Sequence, residues 1–158
     1  MLTAGVAAQA ATQFEMDVST AIDRGIEWLA NQGYYSNPVT IDAYDGGQPG
    51  AAGGLVLLAI LEKRASGDPM DPPQGYDGAS ATDQARMRRL ACFLIDRSNE
   101  PRGFHETYYI GNQLMGLARY LQTGGPGPGV TNPDCPGDGG VDYPSLIDAI
   151  GLMVDELL

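Results

Sequence analysis

Two short stretches hold the side chains best suited to chemistry. Residues 34–45 carry Tyr34, Tyr35, Asp42, Tyr44 and Asp45, and residues 105–109 carry His105, Glu106, Tyr108 and Tyr109. Carboxylates, one histidine and several aromatic rings are the makings of a ligand pocket. Asp42 and Asp45 could serve as acid and base on a glycosidic bond, given the right carboxyl separation. The same residue types populate ordinary turns and caps, so the pattern marks a binding place before it marks a reaction. The predicted ligand-contacting set is Tyr34, Asp42, Tyr44, Asp45, His105, Tyr108 and Tyr109. No catalytic residue, metal ligand or cofactor is assigned.

Metal chemistry fits the sequence poorly. Asp134, Cys135 and His105 are the residue types of a zinc site. In an up-and-down array of helices, however, His105 and Cys135 fall at opposite ends of a helix of about 17 residues, ~25 Å long. The loop 132–143, NPDCPGDGGVDY, offers Asp134, Asp138, Gly139 and Asp142 to calcium. Pro136 takes the third ligand position there and Ser145 the twelfth, where a bidentate Glu is needed. Cys92 and Cys135 are the two cysteines. An exported protein could pair them, but Cys92 lies ~15 Å into its predicted helix, so a buried thiol and an unpaired Cys135 are expected.

The elements that must position these residues are helical. The chain has 158 residues, 43% of them hydrophobic and 18% charged, which suits one globular domain. Twenty Asp plus Glu against nine Lys plus Arg give a net charge of −11, which repels nucleic acid and anionic membrane. Arg86, Arg88 and Arg89 read as a solvated helix face. Residues 1–16 read as a leader or a frayed arm. The Ala-Gln-Ala at 8–10 could end an export signal, but no basic region precedes it, and the compartment stays unassigned.

Residues 51–61 contain no polar side chain, so the helix they form must be surrounded by others. That run is too short to span a bilayer. An amphipathic helix is predicted over 17–32, with Val18, Ile22, Gly25, Ile26 and Leu29 on one face, capped by Asp17 or Ser19 and ended by Gly33. Further helices are predicted over 80–97, 106–122 and about 144–158, joined by long Gly/Pro loops. In the fourth, Gly111 and Gly116 permit close backbone approach. No stretch alternates with period two, so the class is all-α. The helix at the end of the chain has an uncapped Leu157-Leu158, which suggests truncation.

The segments repeat. AIDRGIEWL at 21–29 matches LIDAIGLMV at 146–154, Trp28-Leu29 matches Phe93-Leu94, and Leu57 and Leu61 align with Leu117 and Leu121. The unit is a helical hairpin of about 60 residues, an outer helix followed by an inner one. Stacked hairpins make a solenoid or a toroid.

WLANQG at 28–33, GGLVLLAILEK at 53–63 and GNQLMGLARYLQTGGP at 111–126 resemble the prenyltransferase and squalene oxidase repeat. The resemblance covers residues 17–158 and implies part of an α/α toroid, as in terpenoid cyclases and protein prenyltransferases. It implies little about activity, because the matching positions are packing positions. The Asp-rich DxDD acid of cyclases is absent, since Asp42-Ala-Tyr-Asp45 lacks the adjacent carboxyl pair that raises one pKa.

The expected function is a non-catalytic or incomplete toroid module. It would bind an apolar small molecule or a protein partner, and could assemble with itself or with a further toroid segment. The alternative is an enzyme, either a lyase or transferase on isoprenoids or a carbohydrate-active enzyme using Asp42 and Asp45.

Overall fold

The computed structural model describes residues 11–36, 52–98, 107–128, 145–155 and 157. Among them are five helices and no strand, so the chain is all-α. The helices are α1 (Gln13–Asn31), α2 (Gly53–Glu62), α3 (Ala81–Arg97), α4 (Thr107–Gln122) and α5 (Leu146–Asp155).

Helix α1 begins earlier than the apolar periodicity suggests, inside the stretch read as an arm. Thr12 and Glu15 form a capping box, the Glu15 N–H donating to Thr12 Oγ1 at 3.3 Å and the Thr12 N–H to Glu15 Oε2 at 2.7 Å. Gly33, at φ 76°, turns the chain out of the helix as expected.

The molecule is centred on α2 and α4, which share the most extensive contact among the described helices. They run parallel. Gly54 lies against the backbone of Asn112, and Arg119 Nε donates to Glu62 Oε1 at 2.7 Å one end further along. A Cβ on Gly116 would sit 2.7 Å from the Gly54 carbonyl oxygen, so the two glycines let the helix backbones meet. Gly111 does not share this role and faces open space.

The loop carrying Pro72 and Pro73 is irregular, and it folds back to close α2. The Gln74 amide donates to the Ile60 carbonyl at 2.8 Å, while the backbone N–H groups of Gln74 and Gly75 reach Lys63 and Leu61 at 2.9 and 3.0 Å. These bonds satisfy carbonyls that a helix end leaves unpaired. Tyr76 and Asp77 then donate to Thr123 at 3.0 and 3.1 Å, bringing this loop to the C-terminal end of α4.

Three expectations need correction. Helix α2 is not enclosed on all sides, since Leu55 and Ala59 face solvent. Helix α3 is wet only over its first half, not along a whole outer face: Leu90, Ala91, Cys92, Phe93, Leu94 and Ile95 are all buried. Arg86, Arg88 and Arg89 come before a six-residue apolar run that is enclosed all round. Cys92 is not a free thiol but disulfide-bonded. The chain's other cysteine, Cys135, lies outside the described residues.

The apolar face of α1 also differs from a core-facing stripe. Ile26 is buried, but Val18 and Ile22 are 43% and 41% exposed and Phe14 is 75% exposed. Helix α1 touches the rest mainly through α2, and at this end nothing described covers it.

Candidate functional site

Of the side chains read from sequence as ligand contacts, Tyr34, Tyr108 and Tyr109 are among the described residues. Tyr34 is buried in the core, its ring edge-on to Tyr35 with centroids 5.5 Å apart. Tyr108 is 66% exposed and packs edge-on against Tyr109 at 5.7 Å, at the start of α4. Asp42, Tyr44, Asp45 and His105 lie outside the described residues, as does the acid–base reading built on the two aspartates. So do Asp134, Asp138, Gly139 and Asp142 of the calcium reading. Among the described residues no group of three or more His, Cys, Asp or Glu side chains could hold a metal ion. No described helix is long and apolar enough to cross a membrane.

Two features that sequence reasoning missed stand out instead, and they share Lys63. The first is a chain of charges that ties α1, the end of α2 and α3. Asp83 is only 3% exposed. Its carboxylate receives Lys63 Nζ at 3.1 Å on one oxygen and Arg86 at 3.1 Å on the other. Lys63 also meets Asp23 at 3.3 Å, and Arg86 grips both oxygens of Glu27 at 2.7 and 3.1 Å. The Arg86 guanidinium lies 5.4 Å from the centroid of the Tyr35 ring, a cation–π contact. Asp83 was legible as the third helical residue after the Ser80 cap; its burial was not.

The electrostatics follow from these contacts. The hydrogen bond from Arg86 holds the Glu27 carboxyl below its usual range, and the same bond to Glu27 raises Arg86. Burial by itself would lower Lys63, but the bond to Asp83 and the charges of Asp83 and Asp23 outweigh it and raise it above 10.5. Burial drives the Tyr35 hydroxyl upward from 10.0.

Both of the last two shifts act in alkali. Lys63 contributes stability in full below 10.5, and this is lost as pH climbs through its raised folded value. The unfolded chain releases the Tyr35 proton near 10.0 while the fold retains it, so stability again falls above that pH. Each group adds a slope of up to about 1.4 kcal/mol per pH unit in this window. Urea midpoints between about pH 9 and 11 should therefore fall, and Tyr35→Phe or Lys63→Met should each flatten the decline.

The second feature is an open cleft of about 220 Å³ between α1 and the segment that follows α2. Phe14, Val18 and Ile22 form its apolar side, and Lys63, Arg64 and Pro69 line the other. Glu15 and Glu62 lie at its edge but are engaged, the first in the Thr12 capping box and the second by Arg119. Arg64 donates to the Glu62 carbonyl at 2.7 Å and meets no carboxylate among the described residues. The spacing of Phe14, Val18 and Ile22 was readable as an apolar stripe. That no described residue covers it was not.

No family, curated protein or solved structure matches this chain.

Proposed function

We propose that the chain is a binding module that offers an apolar surface to an apolar small molecule or a partner domain and performs no chemistry itself. The observation that carries this reading is the cleft floored by Phe14, Val18 and Ile22. Large side chains so exposed, side by side on one helix face, mark an interaction site more often than chance surface composition. The arrangement further supports part of a toroid-like double layer. Helices α2 and α4 lie parallel as the central pair, α1 packs on α2, α5 on α4, and α3 on both.

The test is binding of anilinonaphthalene sulfonate, a general apolar probe, to the whole chain at about 1 µM. The wild type should enhance the dye's fluorescence, and Phe14→Ser and Ile22→Asp should each weaken binding about 10-fold with unchanged helical circular dichroism. Equal binding by both variants would sink the reading.

A further inference from the structure

Helix α5 carries a second stripe that no described residue covers, and its chemistry complements the α1 cleft. Leu146, Ala149 and Met153 turn into the core. On the opposite face Ile147 and Val154 are exposed, and between them Gly151 meets nothing within 4 Å, leaving a notch. Asp148 and Asp155 run alongside at a spacing of seven, so both flank the same edge. Helix α5 has no basic residue.

Building on the binding-module reading, we infer that the occupant of the α1 cleft is the α5 stripe of a second copy of this chain. The two faces match in length. Phe14 to Ile22 spans ~12 Å of helix and Ile147 to Val154 ~11 Å. They match in relief, since Val18 at the middle of the cleft face meets a stripe with an open glycine at its own middle. They also match in charge. Among the described residues, Arg64 at the cleft meets no carboxylate and Asp155 at the stripe meets no cation.

The two faces belong to different ends of the array, α1 packing on α2 and α5 on α4. The contact is therefore heterologous, with each copy offering a cleft to one neighbour and a stripe to the next. An apolar helix face laid into an apolar groove is a familiar recognition mode. Three or four side chains from each copy make a small interface, which sets the affinity at about 10–100 µM. The net charge of −11 on each copy opposes association, so the assay belongs at about 150 mM salt, where charges are screened beyond ~8 Å.

Sedimentation velocity on the whole chain from about 10 µM to 1 mM should show mass rising with concentration. Ile22→Asp and Ile147→Asp should each abolish the rise, both at exposed positions that leave the helical signal intact. Mixed in equal amounts, these two variants should form a dimer and nothing larger, because one intact cleft then meets one intact stripe. Arg64→Glu and Asp155→Arg should each weaken association about 5-fold, and the double variant should restore it. A wild type monomeric at 1 mM, a dimer that survives Ile147→Asp, or a mixture that stays monomeric would each overturn the inference. Dye binding that still depends on Phe14 and Ile22 in a strictly monomeric chain would leave the binding-module reading standing.

Discussion

Asp83→Ala should destabilise the chain by about 3–5 kcal/mol, a fall in melting temperature of about 10 °C. The carboxylate lies between Lys63 and Arg86 and is almost fully buried. Its removal leaves two largely buried cations facing one another where the carboxylate had been. Arg86 retains Glu27 and Lys63 retains Asp23, so the loss is large but not total. The same reasoning predicts how to recover it. Taking away the opposing charge as well, in Asp83→Leu with Lys63→Met, should return most of the loss, because apolar replacements of similar volume often match a buried pair. Urea denaturation of the two variants beside the wild type measures both effects. A change of less than about 1 kcal/mol for Asp83→Ala would mean that solvent already screens the cluster.

Gly54→Ala is expected to cost about 1–3 kcal/mol despite alanine's advantage in a helix of about 1 kcal/mol. The added methyl would enter the backbone of Asn112, where neither helix has a flexible side chain to give way. Parting α2 from α4 would also loosen the fit of Gly116 on the Gly54 carbonyl. Gly111→Ala is the matched control on the same pair of helices. It meets nothing within 4 Å and should stabilise by up to about 1 kcal/mol. Chemical denaturation of both variants should thus show opposite signs, and loss in both would mean the contact is not what distinguishes them.

These glycines show how far the sequence could be read. Gly111 and Gly116 are alike in composition and context, five residues apart on one helix, yet only one meets a neighbour. The facing of α4 on α2 decides between them, and single-sequence periodicity carries no partner. Leu57 and Leu117, paired by the repeat, are both fully buried, whereas Leu61 is buried and its counterpart Leu121 is exposed. The repeat register therefore matched buried positions in α2 and α4 at one of its two leucine pairs but not at the other.

Helix existence and order were legible because each segment has a strong apolar pattern bounded by Gly, Pro or a capping side chain. The start of α1 was legible too, in Thr12 and Glu15, but the stretch looked like a leader because the residues before it are small and apolar. For α3 the three arginines suggested a wet helix, although the six consecutive apolar residues after them are the stronger sign. The charge cluster was not legible. Asp23, Lys63 and Asp83 lie far apart in sequence, and each looks by itself like an ordinary surface residue. Nor could the cleft be read as open, since a stripe looks the same in sequence whether or not another element lies over it.

The parallel contact of α2 with α4 bears on how this chain reaches its native state. Parallel neighbours cannot be joined by a tight turn, so the segment between them must cross back, and the Gly54–Gly116 meeting closes a loop of about 60 residues. Its entropic cost is incurred before the contact returns any packing. A chain assembled only from neighbouring hairpins meets no such cost; one whose tightest junction is so remote in sequence is expected to fold more slowly than a bundle of local contacts.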